Sequence, residues 1–203
     1  CMTAYETFVK RVLDRYSPIG DASITQLLSV ARVQHLKKGD TLLDIGNVSR
    51  EIHMLYEGAI VSYFINSKGD VYHKNIFILE DLAVSTVSAL KGLPSEFALE
   101  VIEDATLISF DHRKYQELIT KHADLKNFYI AYLEKNWVVD KERREIDIVL
   151  KDADERYLDF IEAHPNIETR IPLHYIASHL GITPTQLSRI RKKIKKNAPN
   201  QHM

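Results

Sequence analysis

A chain of 203 residues suits one large or two modest domains, and its 45% hydrophobic content is enough to bury a proper core. The single cysteine excludes an intrachain disulfide framework and a four-cysteine iron–sulfur site. No apolar run nears the roughly 20 residues that span a bilayer, and no signal-peptide-like segment opens the sequence, so the expected location is cytoplasmic, without a membrane partner. The net charge of −1 hides an asymmetry. From Gly181 to Met203 the cations Arg189, Arg191, Lys192, Lys193, Lys195 and Lys196 meet no Asp or Glu, which leaves −7 for the rest of the chain. Positive potential is thus concentrated at one end, and only that end is expected to meet a polyanion.

In chain order, Tyr5, Phe8, Val9, Val12, Leu13 and Tyr16 fall at helical spacing until Ser17-Pro18 stops them. A second short helix is expected over 24–31. From Val33 the texture changes to short alternating segments divided by Lys38-Gly39-Asp40, Gly46-Asn47, Glu57-Gly58 and Ser67-Lys68-Gly69-Asp70. Strands over 52–64 and 71–78 form a hairpin, 97–110 holds the last strands, and an irregular or helical excursion falls near 82–90. Residues 1–110 therefore read as a strand-rich domain with N-terminal helices.

Residues 111–150 read as one long helix whose apolar seam runs through Leu125, Phe128, Tyr132, Val139 and Ile146. Such a seam exceeds what one small sheet can cover, so these five residues are expected at a parallel homodimer interface. The alternative is a helix lying on its own sheet. The charged run Asp140-Lys141-Glu142-Arg143-Arg144-Glu145 interrupts the seam.

Residues 151–203 form the C-terminal unit. A helix over 154–163 turns Tyr157, Leu158 and Ile161 inward, Pro165 ends it, and 167–171 reads as a short strand. Two helices follow. Ala177 stands where they cross, so only a small side chain fits, and Gly181 stands where a tight turn favours positive φ. Ile176, Leu180, Ile182, Leu187 and Ile190 supply the contacts between them. Thr183, Pro184 and Gln186 open the second helix with an N-cap, a tolerated proline and a capping box. With Leu187, Ile190 and Ile194 inward, the outer face is free for a groove of double-stranded DNA. Its expected contact residues are Thr183, Thr185, Gln186, Ser188, Arg189, Lys192, Lys193 and Lys196. Arg189 reads a base, since a guanidinium bonds guanine O6 and N7 together; the lysines meet phosphates.

A sheet domain, a long helix and a C-terminal helix-turn-helix together resemble the cyclic-AMP receptor/FNR (Crp/Fnr) superfamily of transcription regulators across nearly the whole chain. The most specific elements are Glu155-Arg156-Tyr157-Leu158, Ile171-Pro172, Ile176 to Pro184, and Leu187-Ser188-Arg189-Ile190-Arg191. The resemblance implies an α+β fold. A cyclic-nucleotide-binding-like β-roll (jelly roll) with flanking helices precedes a long dimerisation helix and a winged-helix-like helix-turn-helix. It also implies a guanine-reading role for Arg189 and RNA polymerase as a further partner. Few residues remain beyond the recognition helix, so the wing is expected to be reduced. Pro184 and Thr185 stand where the best-known members use an arginine and a glutamate, so the target sequence should differ.

The resemblance further implies a phosphate cassette, from which this sequence departs. Phe77-Ile78-Leu79-Glu80-Asp81-Leu82-Ala83 keeps an acid at the ribose position but has Leu79 in place of glycine. Pro94-Ser95-Glu96 stands where an arginine should neutralise the cyclic phosphate. A buried phosphate without a cation is costly, so no cyclic nucleotide or other cofactor is expected. Glu80, Asp81, Ser85 and Ser95 are the candidates for lining a pocket for another effector.

The nine histidines show no metal-ligand spacing and read as scattered surface residues; no metal site is expected. No nucleophile motif or P-loop occurs, so an enzyme is not expected. Two classes remain: a homodimeric, sequence-specific DNA-binding regulator, and a small-molecule or protein-interaction module that uses the helix-turn-helix as scaffold.

Overall fold

The computed structural model describes residues 3–197. Helices α1 (Ala4–Asp14) and α2 (Asp21–Ser29) precede strands β1 (Ala31–Leu36), β2 (Thr41–Leu43), β3 (Glu51–Ile65), β4 (Val71–Phe77) and β5 (Leu82–Ala83). Helix α3 (Thr86–Lys91) fills the expected excursion, and β6 (Ala98–Asp111) closes the sheet as a single 14-residue strand. The six strands are antiparallel in the order β1-β6-β3-β4, with β2 on β6 and β5 on β3.

The two long central strands are buried along most of their length, because register shifts between Leu55 and Ile60 bend them so that both faces meet core. Gly58 makes the bend possible. Its φ is +90°, and a Cβ there would lie 2.4 Å from the Asp104 carbonyl oxygen. One core joins α1 and α2 to Ile52, Met54, Ile108 and Phe110, and a second fills the roll between Leu55, Ile60, Leu99, Val101 and Leu107.

The expected single helix over 111–150 is broken. Helix α4 (His112–Lys121) ends at His122, whose extended backbone turns the chain before α5 (Ala123–Leu133). A wider π-helical segment over Glu134–Val139 then joins α5 to α6 (Asp140–Leu150). Leu125 and Phe128 lie in the first core, at 0% and 2% exposure, and Tyr132 packs against it. These three residues are therefore not on an open dimer seam. Helix α4 packs back on α5, and α1 and α2 reach the same face, so the protomer itself covers them. Val139 and Ile146 are exposed, together with Trp137, Val138, Ile148, Val149 and Leu150.

The C-terminal unit contains α7 (Ala153–Ala163), α8 (Ile167–Arg170), α9 (Leu173–His179) and α10 (Pro184–Asn197). The strand expected at 167–171 is the single helical turn α8, started by Asn166 at φ +64°. Among the described residues no strand follows α10, and the helix itself takes up Lys195 and Lys196, so no wing is present there. Residues 198–203 lie outside the described residues. No helix among the described residues is long and apolar enough to cross a membrane.

Candidate nucleic-acid interface

The helix-turn-helix is built as its sequence dictates. Ala177 and Ile176 are fully buried between α9 and α10, beside Leu180, Leu187 and Ile190, and Gly181 takes φ +70°. The capping box closes reciprocally: the Gln186 amide donates to Thr183 Oγ1 at 3.1 Å, and the Thr183 amide donates to Gln186 Oε1 at 2.8 Å.

Charged side chains fix this unit from beneath. Asp152 and Glu155 cap α7 reciprocally. Arg156 Nη1 donates to the Leu180 carbonyl at 3.0 Å, where the end of α9 leaves an orphan acceptor. Glu168 on α8 accepts from Tyr157 Oη at 2.5 Å and pairs with Arg191 Nε at 2.7 Å, binding α7, α8 and α10 together. Burial and this carboxylate push the Tyr157 phenol up to about 12. Sequence reasoning missed the ties of Arg156 to Leu180 and of Glu168 to Tyr157 and Arg191, because no local spacing announces them, whereas the Asp152-x-x-Glu155 capping box was open to it.

All eight residues expected to meet DNA are exposed, from the α10 N-cap along its outer face. Two of them, Thr183 and Gln186, are engaged in the cap. Lys193 is also committed: its Nζ lies 2.5 Å from Asp154 Oδ2 on α7, and that bond raises its pKa. Thr185, Ser188, Arg189, Lys192 and Lys196 form no side-chain hydrogen bond or ion pair with another described residue. Arg189 heads this face, and Lys192 and Lys196 follow at helical spacings of three and seven.

The four expected pocket residues do not assemble. Glu80, at φ 75°, turns its carboxylate to Arg11 and Arg15, at 3.0 and 2.5 Å. Asp81 accepts from the Ile78 amide at 2.8 Å, and burial raises its pKa. Ser85 and Ser95 are buried and bonded to each other at 2.8 Å. None of the four lines the small apolar cavity of about 40 Å³ among Ile52, Leu82, Tyr115, Tyr132 and Trp137. No group of three or more His, Cys, Asp or Glu among the described residues is placed to hold a metal ion.

The histidines are less scattered than their spacing implied. His73, His164, His174 and His179 gather where α9 meets β4. His174 and His179 both reach this seam because the edge strand β4 runs beside α9.

No family model matches the chain, and no curated protein is similar to it. Solved structures are. FixK2 from Bradyrhizobium japonicum superposes with a TM-score of 0.68 at 14% identity, covering 82% of this chain and 85% of its own. The c-di-GMP responsive global regulator CLP of Xanthomonas campestris gives 0.66 at 12% identity, over 88% of this chain and 93% of its own. A Eubacterium rectale chain assigned to the crp/fnr family of transcriptional regulators gives 0.64 at 19% identity, over 90% and 88%. The fold is therefore that of the Crp/Fnr regulators, with a cyclic-nucleotide-binding-like roll and a C-terminal helix-turn-helix.

Proposed function

We propose that this chain is a sequence-specific DNA-binding transcription regulator that acts as a homodimer. The observation that carries the reading is the outer face of α10, where exposed Arg189, Lys192 and Lys196 project without an acidic partner among the described residues. Arg189 reads a guanine, while Lys192 and Lys196 meet phosphates. The exposed apolar residues Val139, Ile146, Val149 and Leu150 favour pairing of the π segment and α6 with those of a second copy. Two recognition helices then enter successive major grooves, with half-site centres about 34–36 Å apart.

The roll, in this reading, does not take a cyclic nucleotide in the family manner. Glu80 is held by Arg11 of α1 and by Arg15 just beyond it, and Pro94-Ser95-Glu96 stands where the cassette arginine is expected. Calorimetry with cyclic AMP and cyclic GMP tests this; saturable micromolar binding of either overturns it.

Selection of binding sites from random duplex DNA tests the reader itself. An enriched, near-palindromic sequence is the expected result. Arg189→Ala then relaxes preference at one guanine in each half-site, a loss of about 1–3 kcal/mol of discrimination. Binding no tighter to any selected sequence than to random duplex overturns the reading in favour of an interaction module with a basic face.

A further inference from the structure

Strand β4 is an edge of the sheet, and such an edge leaves backbone groups unpaired unless something covers them. Helix α9 covers it. The His73 amide donates to Ser178 Oγ at 2.9 Å, and His179 Nδ1 donates to the Lys74 carbonyl at 3.1 Å. Tyr175 packs edge-on against the His73 ring at 4.7 Å, and Arg170 bridges to Glu103 of β6 at 3.1 Å. Beneath these contacts Ala59, Val61 and Ile102 of the roll share one apolar cluster with Tyr157, Phe160 and Ile176 of the C-terminal unit. The DNA-binding unit is thus docked on the sensor domain, and the His73 and His179 rings lie in the junction beside its hydrogen bonds and ion pair.

We infer that this seam is a proton-operated latch: α9 on β4 holds the helix-turn-helix against the roll, and protonation of His73 and His179 in mildly acidic medium releases it. His73 Nδ1 is buried with no hydrogen-bond partner, so a proton placed there has no acceptor. The groups facing the two rings are mostly neutral or cationic. His174 of α9 and Tyr63 of β3 lie beside His73; Lys74 of β4, His164 just beyond α7 and Arg144 of α6 lie around His179. Three acids stand near. Glu103 is taken by Arg170, Glu100 of β6 faces Tyr63 and Tyr175, and Asp81 faces His164. None offers either imidazolium a direct partner.

Burial holds both histidines below their ordinary value; His174 adds to this at His73, while at His179 the Lys74 carbonyl partly offsets it and His164 and Arg144 add to it. A released histidine titrates near 6.5. Docking is therefore complete above pH 6.5 and weakens as the pH falls from 6.5 toward the depressed values of the docked state. Each pH unit of depression is a factor of ten in the docking equilibrium. The regulatory consequence rests on the DNA-reading function proposed above: release carries the basic face of α10 away from residues 1–150, whose net charge is −4.

Hydrogen exchange of the full chain at pH 7.5 and 5.5, corrected for the intrinsic rate, tests the latch. The His73 amide and residues 173–180 should exchange at least fivefold faster at pH 5.5, with β3 and β6 unchanged. His73→Gln with His179→Gln should abolish that difference. Equal protection of the wild-type seam at the two pH values overturns the latch, as does a pH response that persists in the double variant. Should that variant not fold, ring-proton titration of the wild type decides: midpoints for His73 and His179 must coincide with the exchange transition, and separate midpoints overturn it. No DNA enters these measurements, so their failure condemns the latch alone. An intact pH response without any duplex binding condemns the reader alone.

Discussion

Between Ala123 and Leu133 the long helix buries Leu125 and Phe128 inside its own protomer and, of its larger apolar residues, leaves only Ile130 exposed; between Asp140 and Leu150 it leaves Ile146, Ile148, Val149 and Leu150 in solvent. Leu125 and Phe128 are as buried as any roll residue, whereas Val149 and Leu150 are 81% and 75% exposed. Both halves carry apolar residues at helical spacing, and only their surroundings differ. Helices α1, α2 and α4 wrap the first half, and nothing among the described residues wraps the second. The same pattern thus serves a protomer core at one end and an unpartnered surface at the other. The π segment lies between them and widens the helix where exposure begins.

Substitutions at each end should separate folding from assembly. Phe128→Ala is expected to have the largest effect, lowering protomer stability by about 3–5 kcal/mol in denaturant titration, because it opens a cavity among Tyr16, Leu125 and Tyr132. A loss under 1 kcal/mol would return Phe128 to an interface. The next effect is acid. Burial lowers His53 to about 4, while its ring bonds Ser109 Oγ at 2.7 Å. The depressed value means that its contribution is whole above pH 6.5 and is lost as the pH falls toward 4, by about 3 kcal/mol. His53→Gln should remove that part of the acid dependence, measured as the difference between the two unfolding profiles. Ile146→Asp with Val149→Asp should leave protomer stability unchanged and weaken self-association about 100-fold in sedimentation equilibrium. A dimer that survives both charges would place the interface elsewhere.

The helix-turn-helix was legible almost residue by residue because local sterics specify it. Ala177 must be small, Gly181 must take positive φ, and Thr183 with Gln186 forms a cap within one turn. The long helix was legible only as a pattern. Periodicity placed Phe128 and Ile146 on one seam, yet could not tell which would be covered from within, since α1 and α2 lie about a hundred residues earlier in the chain. The break at His122 is likewise set by packing of α4 on α5 rather than by a proline or glycine. The histidine seam was opaque for the same reason: His73 and His174 meet across 101 residues, and spacing along α9 alone sends its two histidines apart. The partners of the candidate pocket residues were hidden in the same way, since Glu80 pairs with Arg11 and Arg15 of the N-terminal segment and Ser85 bonds Ser95.

The distinction between an engaged group and a free one recurs at small scale on α10, where adjacent lysines differ. Lys193 is held by Asp154, whereas Lys192 has no ion-pair partner among the described residues. A lysine that meets a phosphate releases condensed counterions, so its removal lowers the slope of log affinity against log salt by about one. Lys192→Ala should show that full change on a selected duplex. Lys193→Ala should show less, because its ammonium must first leave a carboxylate, and its loss also frees Asp154 as a new negative charge near the backbone. Asp154→Asn separates the two contributions: it should leave the fold intact and raise affinity for every sequence alike. Equal slopes for the two lysine variants would mean that the Asp154 bond gives way on DNA, and that the groove, rather than the free protein, decides which lysine counts.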